Sequence, residues 1–112
     1  MSQDIILETL ADGIFQIRLE RPDRMNALGA ATVIALKQAV EEACARHARV
    51  LLIRGSGRAF CAGADLKERK GMALPARIAH NAGINDANDA IAAAPCVTIA
   101  VMNGLALGGG LE

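Results

Sequence analysis

The sequence predicts an α/β fold, and three observations carry that prediction. An Asp-Gly turn separates two short apolar runs, a helical apolar stripe leads into a β-branched run, and a second helical stretch bounded by prolines leads into another such run. Asp12 and Gly13 both tolerate positive φ, so the runs flanking Ala11-Asp12-Gly13 form a β-hairpin over residues 5–20. In its second run Phe15, Ile17 and Leu19 alternate with Ile14, Gln16 and Arg18, which sends the first three to the core. Arg21-Pro22-Asp23-Arg24 then breaks the strand, because proline offers no amide donor and restricts the residue before it. Val33, Leu36, Val40 and Cys44 recur at helical spacing opposite Lys37, Gln38, Glu41 and Glu42, giving an amphipathic helix. Residues 50–53 form a buried strand closed by Gly55-Ser56-Gly57, which completes a β-α-β crossover. Pro75 suits the first turn of a second helix, running through Ile78, Ala82, Asn85, Asn88 and Ile91 and stopping at Pro95. Residues 97–102 read as another buried strand, and the glycine-rich residues 103–112 are expected to feed a helix that would begin where the sequence stops. The expectation is therefore one domain over residues 1–112, with no internal boundary, that has been truncated.

Composition narrows the function. Hydrophobic residues make up 53% of the chain but only Phe15 and Phe60 are aromatic, so the core is aliphatic. Twelve basic and twelve acidic side chains cancel, leaving no field to gather polyanions, and nucleic acid is not an expected partner. Cys44, Cys61 and Cys96 lack the close pairing of a zinc site or a redox motif, which fits reduced thiols in a cytoplasmic protein. The N-terminus carries an early acid where an export signal has a basic region, and no run of eighteen apolar residues spans a bilayer, so a soluble protein without a membrane partner is expected.

Two segments can carry chemistry: residues 60–68, Phe-Cys-Ala-Gly-Ala-Asp-Leu-Lys-Glu, and residues 103–112, Asn-Gly-Leu-Ala-Leu-Gly-Gly-Gly-Leu-Glu. Each follows a predicted strand, and ligands usually bind where loops leave the carboxyl ends of strands, so both are expected to border one pocket. Small residues let a ligand approach the backbone, and amides aimed at one oxygen stabilise an anion that develops there, such as a thioester enolate. Glu112, the only carboxylate of the second segment, is the natural acid or base beside that oxygen. The competing reading takes the glycines as tight structural bends. No Gly-Lys-Ser or Gly-Lys-Thr follows them, the spacing misses the dinucleotide fingerprint, and Ser2 and Ser56 are the only serines, which argues against phosphate-loop, NAD and serine-nucleophile chemistry.

These two segments, in this order, resemble the signature segments of the enoyl-CoA hydratase/isomerase, or crotonase, family, and the chain resembles about the first half of a typical member. The resemblance implies a crotonase-like spiral of ββα units, truncated after the third core strand. It implies an oxyanion hole made by the backbone amides of Ala64 and Gly109, which polarise a thioester carbonyl. Met25, Ala27, Ala62, Asp65 and Leu66, with Ala64 and Gly109, match positions lining the CoA and acyl channel. Glu112 matches one of two glutamates that handle water, its partner lying beyond residue 112. The implied activity is hydration of a 2-enoyl-CoA in fatty acid metabolism, the alternatives being isomerisation or a non-catalytic acyl-CoA-binding fragment. No metal and no cofactor are implied, coenzyme A being part of the substrate, and a full-length member is expected as a homotrimer or dimer of trimers. Residues 61–69 and 108–112 look most like the methylglutaconyl-CoA hydratase branch, although residues 31–49 hold only Lys37, Arg46 and Arg49, so RNA binding is not carried over. Pro95-Cys96-Val97 departs from the family's Pro-x-Pro.

Several residues have plainer readings. Cys61 suits packing better than attack, His47 and His80 read as solvated surface residues, and Asp65 reads as a helix cap. Lys67, Arg69 and Lys70 either meet CoA phosphates or form a wet helix face.

Overall fold

The structure, a computed structural model, describes residues 4–112; Ser2 and the start of the segment searched for an export signal lie outside the described residues. The hairpin forms as the Asp-Gly turn demands: β1 (Ile5–Ala11) pairs antiparallel with β2 (Ile14–Leu19), with a bulge between Thr9 and Ala11. Phe15, Ile17 and Leu19 are all buried, so the period-two face goes where it was expected. α1 (Ala30–Ala45) carries the chain back over the sheet, and β3 (Val50–Gly55) then pairs parallel with β2, in register from Ile14↔Val50 to Leu19↔Gly55. Thr32, Val33, Leu36, Ala39, Val40 and Ala43 form the buried stripe of α1. The α1 N-terminus has no side-chain cap of its own, and the free Ala30 amide is met instead by Glu68 Oε1 at 3.0 Å.

After β3 the chain makes β4 (Ala59–Cys61), the short helix α2 (Leu66–Arg69) and the long helix α3 (Leu74–Ala93), then β5 (Val97–Val101) and β6 (Leu105–Ala106). β5 pairs parallel with β3, giving a four-stranded sheet in the order β1-β2-β3-β5. A separate two-stranded sheet is formed by β4 and β6, also parallel. The core lies between the larger sheet, α1 and the buried side of α3.

Three expectations need correction. Phe60 and Cys61 belong to strand β4, not to a loop; three residues in β4 and two in β6 are too few to show periodicity. β5 is not a buried strand: it lies at the edge of the larger sheet, with Val97 60% and Ile99 44% exposed. On α3, Ile78, Ala82 and Asn85 face outward, while His80, Ile84 and Ala87 are the buried residues. Cys44, Cys61 and Cys96 are free thiols; burial, with Cys44 close by, pushes the Cys96 thiol up.

Candidate active site

The site begins with the turn that follows β2. Met25 and Asn26 both adopt left-handed backbone, φ 56° and 55°, a conformation asparagine tolerates better than most side chains. Asn26 is 1% exposed and fully used: its Oδ1 accepts the Arg21 amide at 2.8 Å, and its Nδ2 donates to Ser56 O and Ala59 O, both at 2.9 Å. That side chain ties the turn to both ends of the β3–β4 connection. The Ala62 amide then donates to Met25 O at 3.0 Å, the Leu28 amide to Gly63 O at 2.7 Å and the Asp65 amide to Leu28 O at 2.9 Å. Residues 25–28 and 62–65 thus run side by side, with Leu28 and Ala64 as a parallel bridge.

Asp65 anchors this pair of segments. It caps α2 by accepting the Glu68 amide at 3.1 Å, and its carboxylate also takes Arg21 Nη2 at 3.1 Å and Arg24 Nη2 at 2.9 Å. Burial works against its ionised form, but the Glu68 amide and the Arg21 and Arg24 guanidiniums together hold the carboxyl below its ordinary 3.8. A carboxyl lowered on folding stabilises above its unfolded pKa and loses that contribution as pH falls through the folded value. The urea midpoint is therefore expected to drop on acidification below about pH 3.8, and Asp65→Asn, already weaker at pH 6, is expected to show a flatter acid limb. Parallel acid limbs in the two proteins would sink this assignment.

The second segment arrives through β6. Ala59 pairs with Leu105 and Cys61 with Ala106, after which the Leu107 amide donates to Cys61 O at 3.0 Å. Residues 108–110 make one 3-10 turn, with the Leu111 and Glu112 amides both donating to Gly108 O. Two glycines allow the approach. Gly63, at φ 89°, sits so near that a methyl on it would lie 2.7 Å from Leu107 O and 3.4 Å from the Gly109 nitrogen. A methyl on Gly110 would strike Cys61 O. Among the described residues no backbone acceptor is recorded for the amide of Ala64 or of Gly109, nor for those of Gly63 and Gly108 beside them, whereas the Ala62, Asp65, Leu107 and Gly110 amides donate to carbonyls. The Ala64 and Gly109 amides are backbone donors left over where two glycine-rich segments meet.

A cavity of about 290 Å³ opens beside the second segment, lined by Leu28, Leu36, Phe60, Ile91, Gly109 and Glu112 among others. Of the residues singled out in the sequence, Gly109 and Glu112 border this cavity; Ala64 and Ala62 lie in the adjoining segment, and Met25 and Ala27 in the turn paired to it. Asp65 is spent on structure, while Leu66 is 69% exposed at the start of α2, turned to solvent. Cys61 is 1% exposed and burial pushes its thiol up, against a lesser lowering by the Gly63 backbone, so it packs. Lys67 and Lys70 are exposed, whereas Arg69 turns inward and donates from Nε to His80 Nδ1 at 3.3 Å. His47 is exposed as expected, but His80 is not a surface residue: it is 3% exposed, with Nε2 2.8 Å from Leu28 O. Asn26, His80 and Asn88, whose Nδ2 donates to Gly109 O at 3.3 Å, are the residues that sequence reasoning passed over.

A ββα order, a mixed sheet whose β2, β3 and β5 run parallel, and two glycine-rich turns side by side, the second at an apolar cavity, define an α/β protein of the crotonase fold. Residues 9–112 match the sequence profile described as enoyl-CoA hydratase/isomerase, and the chain belongs to that enzyme family. It is similar to a probable enoyl-CoA hydratase of Mycobacterium tuberculosis, 38% identical over 104 residues, which covers 93% of this chain and 41% of the relative. It is also similar to the human mitochondrial enoyl-CoA hydratase domain-containing protein 2, 44% identical over 102 residues, covering 89% of this chain and 35% of that protein. The crystal structure of enoyl-CoA hydratase from Bacillus anthracis superposes with a TM-score of 0.91 at 34% identity, over 96% of this chain and 43% of that one. The chain thus spans about two fifths of the length of such relatives.

Proposed function

We propose that this chain supplies the oxyanion-hole portion of an enoyl-CoA hydratase. The observation that carries the reading is the pair of unspent amides, Ala64 and Gly109, on adjoining turns, with the Glu112 carboxylate at the rim of the apolar cavity. Water adds to the β-carbon of a 2-enoyl thioester, the π electrons move onto the thioester oxygen, and the enolate then takes a proton at the α-carbon. Two preorganised amides stabilise the oxygen while it carries that charge. Glu112 takes the proton from water as it attacks, acting with a second acid that the relatives' longer chains have room to carry. Met25, Ala27, Ala62, Asp65 and Leu66 border the path of the CoA ester; the homotrimer or dimer of trimers is carried over from the family resemblance, and the cytoplasmic location is read from the unpaired thiols Cys44, Cys61 and Cys96.

The test is the loss of the conjugated enoyl absorbance of crotonyl-CoA, with Glu112→Gln expected to slow it by about 10²- to 10⁴-fold. An unchanged rate in that variant removes Glu112 from the mechanism. Double-bond exchange without water addition makes the protein an isomerase, a reading favoured by relatives such as the isomerase/hydratase of Mycosarcoma maydis, 32% identical. Tight CoA-ester binding without turnover makes it a binding fragment. Faster turnover of 3-methylglutaconyl-CoA than of crotonyl-CoA is expected if residues 61–69 mark the methylglutaconyl branch.

A further inference from the structure

One face of α3 touches the Gly109 turn of the second glycine-rich segment and, at Leu28, the strand of chain bridged to the first. His80, Ile84 and Asn88 follow one another four residues apart, which stacks them along a single stripe of the helix at a rise of about 6 Å per step. His80, at the first step, places Nε2 2.8 Å from Leu28 O, the same oxygen that accepts the Asp65 amide at 2.9 Å. Ile84, at the second, packs on Gly109 so closely that a methyl there would lie 2.8 Å from Ile84 Cγ2 and 3.5 Å from Leu28 Cδ1. Asn88, at the third, donates to Gly109 O at 3.3 Å. Leu28 therefore links the two sides: its backbone bridges Ala64, and its side chain reaches the Gly109 turn.

His80 is suited to holding, not to proton transfer. Its Nε2 faces a carbonyl and so must carry the hydrogen, while Nδ1 accepts from Arg69 Nε at 3.3 Å, an assignment made from the hydrogen bonds. Both nitrogens are spoken for and the residue is 3% exposed, out of reach of a substrate.

We infer that the His80–Ile84–Asn88 stripe is the positioning element that sets the separation and aim of the Ala64 and Gly109 amides. A helix is a stiff ruler, so two loops of different origin are referred to one rigid edge instead of to each other. The inference rests on the oxyanion-hole reading above. His80 is a positioning residue in it and touches no substrate.

The experiment measures carbonyl polarisation apart from affinity. 2,4-Hexadienoyl-CoA absorbs at longer wavelength when its thioester oxygen accepts strong hydrogen bonds, and titration of the same band gives its Kd. The wild-type protein is expected to shift the band to the red. His80→Leu is expected to lose most of that shift with Kd changed less than about threefold, since misaimed donors cost far more in polarisation than in ground-state binding. His80→Gln, whose side-chain amide can still donate to Leu28 O, is expected to recover part of it. A full red shift in His80→Leu overturns the inference. Should His80→Leu fail the circular-dichroism check for folding, His80→Gln and Asn88→Ala decide: wild-type shifts in both overturn it, and graded losses support it. Absence of binding or of any shift in the wild type strikes the oxyanion-hole reading itself, and this inference falls with it.

Discussion

Asn26→Ala is expected to destabilise the protein by roughly 3 to 5 kcal/mol, a large part of a typical domain's net stability. The side chain is 1% exposed, and removing it strands the Arg21 amide and Ser56 O, while Ala59 O keeps its bond from Asn103 Nδ2 at 3.2 Å. Each buried polar group left without a partner costs about 1 to 3 kcal/mol, and alanine at φ 55° adds about 1 more. Asn26→Asp keeps the acceptor but sets a carboxylate against two carbonyl oxygens, so it is expected to fare no better. Asn103→Ala provides the contrast. Its Oδ1 accepts the Gly55 amide at 3.1 Å and its Nδ2 donates to Gly57 O at 3.0 Å and shares Ala59 O with Asn26, but the side chain is only half-buried and its backbone is not left-handed, so about 1 to 2 kcal/mol is expected. Urea midpoints at a common slope give both values, and equal losses at the two asparagines would refute the central place given to Asn26.

Gly110→Ala is expected to lower turnover of crotonyl-CoA by about a hundredfold. The added methyl meets Cys61 O and comes within 2.7 Å of Cys61 Cβ, atoms that β4 holds in place. Relief must come from the 3-10 turn, which carries the Gly109 amide away from its aim, and displacement on the order of 1 Å has that catalytic cost. Overpacking removes about 1 to 3 kcal/mol of stability as well, so activity is compared at a temperature where both proteins are folded. Gly71→Ala serves as the control, because a methyl there meets nothing closer than Glu68 O at 3.7 Å. Turnover preserved in Gly110→Ala would mean that the turn is not part of the site.

The elements with strong local periodicity were legible before any coordinates: the hairpin with Phe15, Ile17 and Leu19 inward, the Val33-Leu36-Val40 stripe of α1, and the crossover into β3. The two chemistry-bearing segments were legible too, as small-residue runs after strands, and the structure sets them side by side. What escaped is what depends on partners distant in sequence. β4 and β6 owe their strand character to each other and have no pattern of their own. His80 sits among Arg77, Asn81 and Asp86, so its surroundings in sequence are polar, yet its partner is a carbonyl on the other side of the core. Asn26 carried a signal that was available in part: asparagine beside a proline-led turn is the residue best able to take left-handed backbone and accept a hydrogen bond locally, here from the Arg21 amide, but its two donated bonds go to residues distant in sequence. Exposure of β5 could not be read from its β-branched run, because the run reports what a strand can bury and not what lies against it.

The parallel pairing of β4 with β6 also orders events in time. Those strands are separated by α2, α3 and β5, so the chain closes a long loop before a single β4–β6 bond can form, and that closure carries its entropic cost before any reward. The hairpin and α1 need no such wait. In a refolding molecule the helical and hairpin signals therefore arrive early, and the meeting of the two glycine-rich turns belongs to the last stage, so that competence lags behind compactness.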